Sequence, residues 1–232
     1  MQASDLPACK TRHVDNLKEH LQMVSRYWDS VAFRYLELFR NELQGKPYDV
    51  EVLKIFAAGL GPGADVCDVG CGPCGHVTRL LASYGLNVRG IDLSSECVAL
   101  ARAEQPSLRF DVMDMGDMTF DRGVFDGLVA YYALHYQPRS TLERVFREFW
   151  RVLRPGGHLL IVSKDGDGEG LVSDPLGSGQ EVFWCSLPQD DLAALLSSSG
   201  FRILNRSARE PLPDEIPVRR IYICAERPLT IT

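Results

Sequence analysis

Between positions 68 and 75 the chain reads Asp68-Val-Gly70-Cys71-Gly72-Pro-Cys74-Gly75. Glycines so spaced let a backbone turn tightly and approach a ligand, and a helix starting there offers unpaired N–H groups. Gly90-Ile-Asp92-Leu93-Ser follows, with Asp92 placed 24 residues beyond Asp68. A carboxylate ending a second strand at that spot accepts hydrogen bonds from both hydroxyls of a ribose. The two acids together describe a nucleoside site with room for a cation beside Asp68. A pyrophosphate fits poorly, because Asp68 would repel it. The Tyr with Lys four residues on that a short dehydrogenase needs is also missing: Tyr131 is followed at that offset by His135, and Tyr132 by Tyr136. The plainer alternative is a surface turn with capping acids, since Ser94, Ser95 and Glu96 open a helix in any case.

Cys71 and Cys74 also form a CxxC. Zinc wants a second pair of ligands at a similar spacing, and the seven cysteines at 9, 67, 71, 74, 97, 185 and 224 offer none. Their odd number and irregular spacing do not read as a secreted disulfide framework either. No metal is expected, and the pair reads as loop residues beneath a ligand.

Alternating strands and helices must position these groups. Apolar steps of three and four from Leu17 to Phe39 predict a helix over 13–43. Gly45-Lys-Pro47 breaks it, and Asp49 is placed to cap a short helix over 50–59. Strand-like runs follow at 64–69, 87–91, 108–112, 125–130 and 158–163, with helical patterns at 77–84, 95–103 and 141–153 between them. The first three strands with their crossover helices are the signature of a parallel sheet. A helix over 187–199 precedes two further strands, 201–208 and 219–226, joined by a proline-rich loop and expected to close the sheet antiparallel. Residues 165–182, rich in Gly, Asp and Ser, read as a loop or lid.

The length of 232 residues suits one domain with an appendage, and a composition 45% hydrophobic and 24% charged excludes disordered and fibrous classes. A net charge of −6 disfavours nucleic acid, which needs a basic face. No apolar stretch is long enough to cross a bilayer, and positions 1–10 carry no signal-peptide core. A cytoplasmic protein with no membrane partner is expected.

These residues resemble class I S-adenosylmethionine-dependent methyltransferases, in their small-molecule branch. The resemblance runs from Tyr27 to about Arg227 and rests on motifs in order: the loop from Asp68, the acid Asp92, Val112-Met-Asp114-Met115, the stretch Phe125 to His135, and Arg151-Val-Leu-Arg-Pro-Gly-Gly-His-Leu. One departure is that the family's third loop glycine falls at Cys74. The implied fold is α/β: a Rossmann-like sheet of seven strands, the last antiparallel, with helices on both faces and a helical N-terminal cap (1–47) ahead of the methyltransferase domain (48–232).

The cofactor so implied is S-adenosyl-L-methionine, held by Tyr27, Asp68, Gly70, Cys71, Gly72, Asp92, Leu93, Asp114, Met115 and Tyr131. The partner is a small-molecule methyl acceptor, facing Tyr35, Tyr132, Tyr136 and Trp184, with Trp184 in a loop after the fifth strand. Methyl transfer to an O, N or C nucleophile follows, in secondary metabolism. The alternatives are a cofactor-binding protein without transfer, or transfer of another group. His135, just past the fourth strand, is either a general base near pH 7 or a histidine packed and held by a hydrogen bond. Lys164 and Glu181 read equally as surface charges or substrate ligands. The oligomeric state stays open.

Overall fold

A computed structural model describes residues 16–173 and 176–229. Helix α1 spans Leu17–Phe39. Its start is set by Asn16, whose side chain accepts the N–H groups of Lys18 and Glu19 at 3.1 and 3.4 Å and so satisfies donors that a first turn leaves free. Residues 13–15 of the expected helix, and the first fifteen of the expected cap, lie outside the described residues. After a short 3-10 turn (Glu42–Gly45), Pro47 opens α2 (Pro47–Leu60), where its missing N–H costs nothing. Asp49 is not the cap: it sits in the first turn with its side chain fully buried.

Strand β1 (Asp65–Val69), α3 (His76–Ser83), β2 (Asn87–Asp92), α4 (Ser95–Glu104), β3 (Arg109–Val112) and β4 (Phe125–Tyr131) then alternate. They are followed by α5 (Leu142–Val152), β5 (Leu153–Lys164), β6 (Gly168–Ser173), β7 (Glu181–Ser186), α6 (Gln189–Ser198), β8 (Arg202–Arg209) and β9 (Arg220–Glu226). Seven strands form one sheet in the order β3-β2-β1-β4-β5-β9-β8. The first five run parallel, while β9 is antiparallel to both β5 and β8.

Side chains alternate between two buried layers, as a strand's period of two requires. On one face Leu128, Ala130, Leu159, Ile161, Ile221 and Ile223 meet Val145, Phe146 and Phe149 of α5 and Leu192 and Leu196 of α6. On the other, Val66, Val129, Leu160 and Val162 meet Leu53 and Phe56 of α2 and Val77 and Leu81 of α3. Covered on both sides, the central strands are near-continuous apolar runs. The strand order reverses between β1 and β4, so a crevice opens at their carboxyl ends.

The segment expected to be a loop or lid over 165–182 instead contains β6 and the start of β7, paired antiparallel as a separate two-stranded sheet. Trp184 therefore stands in β7, not in a loop. Glycine and serine obscure the apolar positions, but Val172 and Val182 face Tyr27 and Val31 of α1, with Trp28, Tyr136 and Trp184 around them. This hairpin and α1 stand over the carboxyl ends of the sheet.

Candidate active site

A cavity of about 560 Å³ opens at the switch point, between the strand ends, α1 and the hairpin. Asp68, Gly70, Cys71 and Gly72 line it from the β1 turn, Asp92 and Leu93 from the end of β2, and Met115 from the segment after β3. Tyr131, Tyr132, His135 and Tyr136 come from the end of β4 and the 3-10 turn after it, Tyr35 from α1, and Trp184 from β7. Two expected residues are absent from its wall. Tyr27 points from α1 into the layer beneath the hairpin, its ring 5.8 Å from Trp28 and 6.3 Å from Tyr136. Asp114 is engaged elsewhere, accepting the Gly116 N–H at 2.9 Å and Arg144 at 2.8 Å.

Gly70 turns at φ 72°, and a Cβ there would lie 2.5 Å from the Ala133 side chain. Only glycine permits this close approach of the β1 turn to the end of β4. Gly72, at φ 60°, would meet nothing within 4 Å; its Cα faces open space. Asp92 holds the loop in place, Oδ2 accepting the Gly72 N–H at 3.0 Å and Oδ1 the Ser94 N–H at 2.9 Å. Burial pushes its carboxyl up to about 6. Asp68 is fully buried: Thr78 donates to Oδ2 at 2.6 Å, while Oδ1 has no hydrogen-bond partner. Burial lifts this carboxyl to about 7. Beside Asp92, Asp29 of α1 accepts from the Ser94 hydroxyl at 2.6 Å and from the Glu96 N–H at 3.2 Å, so α1 caps α4.

The far end of the cavity is built from long-range contacts. Asp49 accepts Tyr131 Oη at 2.8 Å, Tyr132 Oη at 3.3 Å and Arg209 Nε at 2.8 Å. Arg209 also grips Glu215 with two nitrogens, and Lys46 joins Glu215 to Glu42. Tyr132 adopts φ 54°, a left-handed conformation that a tyrosine holds only under constraint. That twist turns its ring toward Lys46 and Lys164, whose Nζ atoms lie 5.2 and 5.5 Å from its centroid.

His135 is not placed as a base. Its Nδ1 meets the Cys185 carbonyl at 3.0 Å, its Nε2 accepts the Lys164 backbone N–H at 3.3 Å, and its ring stacks on Trp184 at 4.4 Å. Burial, with Lys164 adding to it, pushes the imidazole down to about 3. A neutral ring with both nitrogens used by the backbone has no lone pair left for an acceptor.

Lys164 at the end of β5, read from the sequence equally as a surface charge or a substrate ligand, lines the cavity, as do four residues not singled out there: Glu42, Lys46, His76 and Arg220. His76 carries no hydrogen bond on either ring nitrogen, with Nε2 3.4 Å from Glu42. Of the two readings the sequence leaves open for Lys164, its place at the carboxyl end of β5, on the cavity wall, favours a residue facing a ligand.

The fold and this wall define an α/β protein that grips a nucleoside cofactor across the carboxyl ends of a parallel sheet. The unpartnered, buried Oδ1 of Asp68 and the open face of Gly72 fit a ligand carrying a cation there, and Asp92 fits its ribose. The family model described as a methyltransferase domain matches residues 66–157. A methyltransferase of Synechocystis described as uncharacterised is 30% identical over 152 residues, 63% of this chain and 71% of that protein. The O-methyltransferase cnsE of Penicillium expansum is 31% identical over 151 residues, 62% of this chain and 54% of its own length. The chain thus spans only about half of the fungal relative. Among solved structures, the 1,6-didemethyltoxoflavin-N1-methyltransferase of Burkholderia thailandensis, with S-adenosylhomocysteine bound, shares the fold. Its TM-score is 0.76 at 21% identity, covering 95% of this chain and 94% of that one. The chain belongs to the class I S-adenosylmethionine-dependent methyltransferases.

Proposed function

We propose that the protein transfers a methyl group from S-adenosylmethionine to an oxygen, nitrogen or carbon nucleophile of a small organic acceptor, in secondary metabolism and in the cytoplasm. The observation that carries this reading is one cavity with two unlike ends. The end at Asp68, Gly72 and Asp92 suits a cationic nucleoside, and the end at Trp28, Tyr132, Tyr136 and Trp184 suits a flat organic molecule. Its size belongs to small-molecule sites, which run from about 300 to 1,000 Å³. Among the described residues no helix is long and apolar enough to cross a membrane. The Burkholderia enzyme is named for a small-molecule acceptor, 1,6-didemethyltoxoflavin, and the Penicillium relative is named as an O-methyltransferase, which supports the proposal.

When bound, the cofactor supplies an electrophilic methyl group on a sulfonium, already activated. The chain's work is to hold and align. Asp92 takes the ribose hydroxyls while keeping Gly72 and Ser94 in place, and Asp68 lies beside the positive charge. The aromatic end presses the acceptor into line and excludes water. Positioning of this kind is worth about 7–11 kcal/mol.

The test is incubation of the protein with methyl-labelled cofactor and a metabolite extract, read by mass spectrometry. A product heavier by one labelled methyl, with S-adenosylhomocysteine released, is expected. Asp92→Ala should abolish it and weaken S-adenosylhomocysteine binding by at least tenfold. Normal cofactor binding with no labelled product from any extract overturns the transfer reading, and a product labelled in any other way overturns it in favour of different group chemistry.

A further inference from the structure

Lys164 is the last residue of β5 and its side chain lines the acceptor end of the cavity. Its Nζ sits 4.4 Å from the centroid of Trp184 and 5.5 Å from that of Tyr132. No carboxylate among the described residues pairs with it. The acids around it are ion-paired with other groups: Glu42 Oε1 with Lys46, its Oε2 lying 3.4 Å from His76 Nε2, Glu215 with Lys46, Arg209 and Arg220, and Asp49 with Arg209. In the ion pairs of this cluster Lys46, Arg209 and Arg220 share Glu42, Asp49 and Glu215, and Lys164 enters none among the described residues. Lys164 is the odd cation, held by ring faces alone.

We propose that Lys164 is the base of the acceptor half: its Nζ takes the proton of an acidic hydroxyl, phenolic or enolic, on a flat acceptor lying among Trp28, Tyr132, Tyr136 and Trp184. This rests on the methyl-transfer reading above and names its acceptor class. The O–H bond breaks with its electron pair staying on oxygen, and the proton moves to the neutral amine. The oxygen pair then forms the new O–C bond, while the pair of the broken methyl bond remains on sulfur. The ammonium returns its proton to cavity water, so charge and atoms balance. An oxyanion formed there meets the cation of the cluster that no carboxylate among the described residues pairs. An acceptor amine protonated at neutral pH meets repulsion instead, so the site selects oxygen over a cationic nitrogen.

The electrostatics agree. Burial first, then Arg220 of β9, lowers the Lys164 ammonium to about 7. Lys46 acts in the same direction, and Glu42 and Glu215 oppose it. The other groups facing it, the His135 ring and the Tyr132 hydroxyl, stay neutral, the first held down to about 3 and the second raised far up by burial. Near pH 7 a substantial fraction of Lys164 is therefore the free amine a base needs.

The test uses the full chain, methyl-labelled cofactor and three probe acceptors: para-nitrophenol, phenol and para-methoxyphenol. The unsubstituted protein should methylate them with an acid limb in kcat/KM centred at about 7. Lys164→Met should lower kcat/KM about 10²–10⁴-fold for phenol and para-methoxyphenol. It should hardly affect para-nitrophenol at pH 8, which ionises unaided, and it should leave S-adenosylhomocysteine affinity unchanged. Lys164→Arg should be as slow as Lys164→Met, since guanidinium does not give up its proton. Restored rate with arginine, or an equal loss on all three probes, would make Lys164 a fixed charge and overturn the proposal. So would a protein that methylates no phenol while it labels another class of acceptor. Failure to bind S-adenosylhomocysteine at all would strike the methyl-transfer reading itself, a different result from any of these.

Discussion

Removing the charge of Asp68 without changing its shape should stabilise the ligand-free protein while weakening its cofactor. The carboxyl is fully buried and is lifted from 3.8 to about 7, because burial disfavours its charge and hydrogen bonding from Thr78 offsets this only in part. At about 1.4 kcal/mol per pH unit, keeping it ionised costs the folded chain at most about 4 kcal/mol; water admitted by the cavity brings this to about 1–3 kcal/mol. Because the folded value lies above the unfolded one, stability from this group is full below about pH 4 and is lost as pH rises through about 7. Asp68→Asn keeps an oxygen for Thr78 and has nothing to ionise. Its Tm should exceed that of the unsubstituted protein by about 2–12 °C at pH 8, at 2–4 °C per kcal/mol for a chain this size, and by progressively less as pH falls toward about 4. Its affinity for S-adenosylmethionine should fall about ten- to a hundredfold at pH 8, a loss of about 1.4–3 kcal/mol. Scanning fluorimetry from pH 5 to 8 and calorimetric titration read both effects. An unchanged or lower Tm at pH 8 would show that the carboxylate is not strained, and undiminished affinity would show that it does not serve the cofactor's cation.

Gly70→Ala and Gly72→Ala should separate folding from binding. The first drives a methyl to 2.5 Å from Ala133 at φ 72° and should cost about 2–4 kcal/mol in urea unfolding. The second meets nothing within 4 Å and should cost about 1 kcal/mol, yet lose S-adenosylhomocysteine affinity as its methyl enters the cavity. His135 should show no ring titration by NMR between pH 5 and 8, being held down to about 3. Its lowered value means stability is full above about 6.5 and is lost as pH falls below that. His135→Phe should keep the stacking on Trp184 but cost about 1–3 kcal/mol, because the Cys185 carbonyl and the Lys164 N–H are left buried and unpaired; a ring titrating near 6.5 would restore its candidacy as a base.

The cofactor end was readable because it is local. Asp68, the glycines and Asp92 lie at strand-to-helix junctions within 25 positions of one another, and short-range sterics fix what such turns can do. The acceptor end is assembled from far apart. Asp49 looked like a helix cap, yet it partners Arg209, 160 positions away, and two tyrosines, Tyr131 ending β4 and Tyr132 just past it. Nothing in its neighbours along the chain announces that pairing. His135 lines the cavity, but whether its nitrogens are free depends on Cys185 of β7 and Lys164 at the end of β5, neither near it along the chain. The β6–β7 hairpin was missed because its apolar face, Val172 and Val182, gains meaning only against Val31 of α1.

The reach of Asp29 from α1 to the first turn of α4 has a bearing on traffic through the molecule. The carboxylate that fastens the roof grips Ser94, two positions past the acid that would hold the sugar. Roof and nucleoside seat therefore share one hinge pin. Asp29 itself does not line the cavity, so a nucleoside on Asp92 would feel the clasp only through Ser94 and the first turn of α4. Loosening Asp29 should then speed release of S-adenosylhomocysteine from that seat while leaving the aromatic end of the cavity as it is.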